Sequence, residues 1–219
     1  MSTNDQEAGR KPAWDSTIKE FLEEAGAAKP TPGGGSVAAL VGALGAAMAS
    51  MAANFTKGAK YADVADEVES VLARLREMST MCEDLLEADI VSFERYMAAI
   101  RLAKDTDEQK AARRHAIEEA SHEAVAIPLR LMEACAEALG IACELAPYAN
   151  KNVISDLGIG AVLFEAAAES ALLTVEINLA AMSPSERRDE YDRASREWMS
   201  RIAERKVAAV DAVRKRIRE

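Results

Sequence analysis

Residues 36–55 run for twenty positions without a charge, directly after Pro30-Thr31-Pro32-Gly33-Gly34-Gly35-Ser36. Few architectures accept such a segment. It is built almost wholly from Ala, Gly, Val, Leu and Met, which reads as one helix. Two prolines hold the approach extended, three glycines leave the backbone open to close approach, and Ser36 is the expected N-cap. A helix start behind glycines offers free N–H groups and the positive end of a dipole, which suits an anionic ligand. The alternative is a plain loop and cap. Gly42 and Gly45 let another helix approach closely, a surface that points to packing, often against a second subunit. As a membrane span the segment is weakly driven, because its apolar content is mostly Ala and Gly rather than Leu, Ile and Phe.

The rest of the chain reads as further helices. They are expected over about 15–27 (Asp15 or Ser16 capping; Ile18, Phe21 and Leu22 on one side), 62–103, 107–146, 153–182 and 185–217, besides the one from 36 to about 57. In the 62–103 stretch Val64, Val68, Val71, Leu75, Met78, Cys82, Leu85, Phe93, Tyr96 and Ile100 recur at helical spacing. Pro128 either kinks or splits the 107–146 helix. The last helix is charged on most faces and is expected outermost. No stretch alternates as a strand. The expected fold is all-α, an antiparallel multi-helix bundle dimerising through small-residue helices. A flexible tail over 1–14 precedes one domain over 15–219.

Composition narrows function by exclusion. Hydrophobic residues are 49% and charged residues 29%, so the chain is globular rather than disordered. A net charge of −10 lacks the basic field that nucleic acid requires, so an anionic ligand would need a local basic patch. Cys82, Cys135 and Cys143 lie in helical patterns without Cys-x-x-Cys, as small buried hydrophobes in a reducing compartment. The polar N-terminus lacks an apolar signal core, and a cytoplasmic location is expected. His115 and His122 have no third ligand at a metal spacing and read as surface residues. No Walker loop, dinucleotide fingerprint or Ser–His–Asp order is present. Neither metal nor cofactor is expected, and neither membrane nor nucleic acid as a partner.

Three places can carry chemistry. The seam steps 82, 85, 89, 93, 96 put Asp89 among apolar positions. A carboxylate there is costly unless paired, hydrogen-bonded or neutralised, and desolvation raises its pKa toward the range used in acid–base work. An ion pair, or a seam turning toward solvent, is the competing account. Asn150, Lys151, Asn152, Ser155 and Asp156 form a polar knot before a small-residue helix; its simplest role is capping by Asn152 or Ser155 with Asp156 complementing the dipole. Thr56, Lys57, Gly58, Lys60 and Tyr61 form a turn with two amines. Turns carry lysines for solubility, yet an acidic protein that binds an anion needs cations placed like these.

Together these motifs resemble the C-terminal part of the formiminotransferase-cyclodeaminase family, which includes stand-alone methenyltetrahydrofolate cyclohydrolases. The likeness covers roughly 17–182. It rests on the run from Pro30 to Ser36 with Gly42-Ala43-Leu44-Gly45-Ala46-Ala47, then Thr56-Lys57-Gly58 through Lys60-Tyr61, and Asp89 four residues before Phe93. Asn152-Val153-Ile154-Ser155-Asp156 with Gly158, and Asn178-Leu179, complete the set. The resemblance implies an all-helical homodimer binding reduced folate near the subunit interface. It implies Asp89 as catalytic acid–base. Pro32, Gly33, Gly34, Gly35, Ser36, Thr56, Lys57, Lys60, Tyr61, Asn152, Ser155 and Asp156 would form the folate site, with Lys60 or Lys151 placing the glutamate carboxylates. The family's turn often carries a longer basic run than Ala59-Lys60-Tyr61, which bears on how a polyglutamate tail is held.

The expected reaction is hydrolysis of 5,10-methenyltetrahydrofolate to 10-formyltetrahydrofolate. One carboxyl of raised pKa would take a proton as water adds and return it to N5 as the ring opens. Cyclodeamination of 5-formiminotetrahydrofolate ranks second, because no transferase domain is fused to these residues. A non-catalytic helical module that dimerises through the Gly/Ala helices is the reading from another class.

Overall fold

Hydroxyl caps start several of the helices. In the computed structural model, which describes residues 11–219, Thr17 and Thr106 each open a helix with a capping box closed by Glu20 and Gln109. Ser185 caps the last helix by accepting from the Arg188 N–H. The six helices are α1 (Ile18–Ala25), α2 (Gly34–Asn54), α3 (Ala65–Ile100), α4 (Asp107–Leu145), α5 (Ile154–Ala181) and α6 (Glu186–Arg218). Short 3-10 turns occupy Ala13–Asp15, Ala59–Val64 and Lys151–Val153, and no strand occurs among the described residues. The fold is an all-α multi-helix bundle.

Several local expectations are corrected. The cap of α1 is Thr17 rather than Asp15 or Ser16. Only Phe21 of its apolar trio is buried; Ile18 is 82% exposed and Leu22 63%. Of the two expectations for Pro128, a kink or a split, the split is removed, since α4 runs through it with Pro128 buried. His122 is not a surface residue but half-buried, its ring centroid 5.9 Å from that of Tyr191 on α6. Residues 1–10 of the expected tail lie outside the described residues. Beyond them Ala13 is buried and the Trp14 N–H donates to Glu87 Oε1 at 3.0 Å, which ties this stretch to α3.

The glycines of α2 and α5 set how closely these helices meet. A Cβ on Gly45 would stand 2.8 Å from the Phe164 ring, and one on Gly160 would stand 2.9 Å from the Gly45 carbonyl. Gly42 faces Cys82 of α3 and Leu131 of α4 in the same way. The close approach that Gly42 and Gly45 allow is made within the chain, as packing between its own helices. Arg74 pairs with Glu144 and Arg95 with Glu123, so position numbers fall along α4 as they rise along α3. Cys82 and Cys135 are buried, and burial pushes the Cys82 thiol up to about 12, which leaves it an apolar filler.

Although charged, α6 buries Ile202, Ala209 and Val213. Its arginines meet carbonyls elsewhere: Arg188 reaches Leu179 at the end of α5, and Arg216 reaches Pro147 and Ala149 in the connector before α5. The outward faces of α2 and α5 are apolar and uncovered. Val37, Leu44 and Met51 recur every seven residues on α2, beside Ile159, Val162, Leu173 and Ile177 on α5. Both helices are long and apolar enough to cross a membrane, and both bury their glycine faces in the bundle.

Candidate active site

The first turn of α2 is capped from another helix. Gly33 is its N-cap and has no side chain to offer, so Ser36 lies in the first turn rather than at the cap. Asp89 of α3 supplies the missing acceptor. Its Oδ2 takes the Ser36 N–H at 2.9 Å and the Ser36 hydroxyl at 2.7 Å. Part of the anionic role expected at this helix start thus falls to a carboxylate of the same chain. Gly35 makes the approach possible, because a Cβ there would stand 2.1 Å from Asp89 Oδ1 and 2.6 Å from Cγ.

Two effects oppose each other at this carboxyl. Burial raises its pKa, and the two Ser36 bonds lower it; burial prevails, and the value lies above the ordinary 3.8. No charge among the described residues contributes, so among them the seam carboxylate has no ion-pair partner. With Oδ2 bonded to Ser36, Oδ1 is the oxygen left for chemistry.

A cavity of about 680 Å³ opens beside Asp89, the size of a small-molecule site. Gly33, Gly34 and Gly35 form one wall. Phe93 and Tyr96 of α3, Ile127 of α4, and Thr174 and Asn178 of α5 form others. Among the described residues no Lys, Arg or His lines it. Ser92 also lines it, on the same helix face as Asp89; its hydroxyl is buried and has no hydrogen-bond partner among the described residues. Ser92 and Tyr96 were not among the expected site residues, although steps of three and seven from Asp89 place them on its face.

The remaining expected residues sit elsewhere. Pro32 is buried and faces a separate cleft with Lys11, Lys29 and Glu94. From Ser36 to Asn54 the α2 axis rises about 27 Å, at about 1.5 Å per residue. At that far end Thr56 is buried; its hydroxyl donates to the Ala52 carbonyl at 2.7 Å and accepts from the Asn150 N–H at 2.9 Å. Asn150 Nδ2 donates to the Phe55 carbonyl at 2.8 Å, and its Oδ1 accepts from the Asn152 N–H at 3.1 Å. Asn150 therefore caps the 3-10 turn Lys151–Val153, while α5 itself starts behind Val153 with no side-chain cap, neither Asn152 nor Ser155 serving. Gly58, at φ 94°, turns the chain into the next segment, a conformation that favours glycine.

Around this joint Lys57 pairs with Glu69 at 2.6 Å, and Lys60 Nζ lies 5.3 Å from the Tyr61 ring centroid. Asn152 and Ser155 are exposed and Asp156 is half-buried. The chain thus unites Gly33, Gly34, Gly35 and Ser36 with Asp89. It gathers Thr56, Lys57, Lys60, Tyr61, Asn152, Ser155 and Asp156 at the opposite end of α2.

Comparison with known proteins places this arrangement. Residues 17–197 match the family model described as Formiminotransferase-cyclodeaminase. The methenyltetrahydrofolate cyclohydrolase of Methylorubrum extorquens is 36% identical over 208 residues, covering 94% of this chain and 96% of that protein. The formimidoyltransferase-cyclodeaminase of Rattus norvegicus is 36% identical over 77% of this chain, which matches only 31% of that longer protein. Among solved structures, formiminotetrahydrofolate cyclodeaminase from Thermotoga maritima superposes with a TM-score of 0.77 at 28% identity, over 94% of this chain and 97% of that one. With the match extending from the segment before α1 into α6, the chain belongs to the formiminotransferase-cyclodeaminase family.

Proposed function

We propose that the cavity holds a reduced folate carrying a one-carbon unit, and that Asp89 moves the proton while a C–N bond at that carbon is exchanged. The observation that carries this is the carboxyl itself: anchored through Oδ2 by Ser36, raised in pKa by burial, and facing a cavity of small-molecule size. A group of this kind can accept a proton and return it within one turnover.

The relatives named as cyclodeaminases favour ring closure of 5-formiminotetrahydrofolate. In that reaction N10 bonds to the formimino carbon, the C–N bond to the departing nitrogen breaks, and ammonia leaves. Asp89 takes the N10 proton and delivers it to the leaving nitrogen. A second reading has its own support in the cyclohydrolase matched along nearly its whole length. There water adds to the carbon of 5,10-methenyltetrahydrofolate, and the same carboxyl protonates N5 as the ring opens to 10-formyltetrahydrofolate. Supplying each substrate separately tests both, by ammonia release and by loss of methenyl absorbance. Turnover of neither substrate by the wild-type protein would overturn the proposal.

A homodimer belongs to the same reading. Leu173 and Ile177 line the cavity and are 67% and 69% exposed, so the cavity opens onto the apolar face that carries Val37, Leu44 and Met51. A two-fold related copy seated on that face, with its α2 running the opposite way, would bring its Lys57–Tyr61 turn toward this cavity. The glutamate carboxylates of folate would then find in Lys60 a cation that the described residues of the cavity lining lack. Leu44→Glu should convert a sedimenting dimer to monomer; a wild-type protein that already sediments as a monomer would sink this part.

A further inference from the structure

Pro128 removes one N–H from the interior of α4 beside the cavity. In an uninterrupted helix that N–H would meet the carbonyl of Ala124. Here the Ala124 carbonyl accepts from Asn178 Nδ2 of α5, at 2.7 Å. A carbonyl only accepts, so the side-chain amide has one orientation, with Nδ2 toward Ala124 and Oδ1 as the group left to offer. Ala124, Asn178 and Ser92 all line the cavity, and the buried Ser92 hydroxyl has no partner among the described residues. Thr174, Ser170 and Ser121 spend their hydroxyl protons on backbone carbonyls, so among the described residues the cavity offers Asp89 Oδ1, Asn178 Oδ1 and hydroxyls that include those of Ser92 and Tyr96, and no cationic side chain.

We propose that Asn178 is a specificity-determining residue: its amide, locked by the carbonyl that Pro128 leaves open, presents Oδ1 to a ring N–H of the substrate, with Ser92 completing the same polar edge. This assignment rests on the reading of the cavity as a folate site. The ligand class is a neutral or cationic nitrogen heterocycle that carries ring N–H donors. A ring with acceptors alone would leave the Asn178 oxygen unpaired, and a site built for hydrogen bonding rejects such a partner. Proline in α4 and asparagine in α5 act together, fifty positions apart in the chain.

The test is binding of 5-formyltetrahydrofolate, a stable reduced folate, by calorimetry to full-length wild type, Asn178→Ala, Pro128→Ala and the double variant. Asn178→Ala should weaken binding about tenfold, the loss of one hydrogen bond with its partner left unmet. Pro128→Ala restores an N–H to Ala124, frees the amide to turn, and should weaken binding about threefold. The double variant should bind no more weakly than Asn178→Ala alone, because both changes act through one amide. In turnover the loss should fall on KM, with kcat kept. Wild-type affinity in Asn178→Ala would overturn the proposal, as would a Pro128→Ala penalty undiminished in the Asn178→Ala background. Hydrogen exchange at the Asn178 side-chain amide, followed by NMR without ligand, tests the lock alone. Slow exchange in wild type and faster exchange in Pro128→Ala are expected; fast exchange in both would refute the lock. A wild-type protein that binds no reduced folate would instead overturn the reading of the cavity, and the role of Asn178 with it.

Discussion

At the start of α2 the unmet N–H of Ser36 is answered by Asp89, a carboxylate whose charge burial opposes. At its end the carbonyls of Ala52 and Phe55 are answered by Thr56 and Asn150, neutral groups that also bond each other. Both solutions satisfy a helix terminus, and they leave different residues behind. The far end closes on itself, with the Thr56 hydroxyl both donating and accepting. Among the described residues the near end keeps a carboxylate oxygen and a serine without hydrogen-bond partners, and a cavity. A terminus closed by mutual neutral bonds strengthens the fold, whereas one closed by a charge that burial opposes retains a group that can react.

Changes at the two ends should therefore register in different measurements. Asp89→Asn keeps an acceptor for Ser36 and removes the proton carrier, so kcat should fall about 10³-fold with the fold intact. Equal turnover by the variant would erase the distinction between the ends. Its stability should also reveal the sign of the pKa shift. A carboxyl whose folded pKa lies above its unfolded value stabilises the fold fully below about 3.8 and loses that contribution as pH rises through the raised value. Asp89→Asn should thus gain on wild type in denaturant melts across that window, and a variant that loses ground there would reverse the argument.

Gly35→Ala comes next. Its Cβ would meet the carboxylate at 2.1 Å, so Asp89 must move, and kcat should fall about 10²-fold. Retained activity would mean that the first turn of α2 does not fix Asp89. Thr56→Val, at the other end, leaves the Asn150 N–H and its neighbours short of one partner. A stability loss of about 1–3 kcal/mol is expected from chemical denaturation, with kcat unchanged in the folded protein. A fall in kcat without loss of stability would transfer Thr56 from the joint to the reaction.

The seam of α3 made most of this legible in the sequence, because one charge among apolar steps of three and four has few explanations. Other features depended on distance in space. Ser36 looked like a cap because its own side chain suits that position; the acceptor that displaces it comes from 53 residues away. Thr56 looked like part of a ligand turn, and its partner lies 94 residues on. The length of α2 was the overlooked signal. A helix of this length sets its two ends about 27 Å apart, so motifs flanking it cannot meet in one copy of the chain. Pro128 and Asn178 were each visible as single features, and only packing joined them.

The measurement that goes most directly to the account is a carboxyl-carbon NMR titration of Asp89 in wild type and Ser36→Ala. A midpoint above the ordinary 3.8 in wild type, moving higher when the Ser36 hydroxyl is removed, is the predicted result. A midpoint at or below 3.8 would contradict it, because Asp89 would then be a stabilised helix cap rather than a proton carrier.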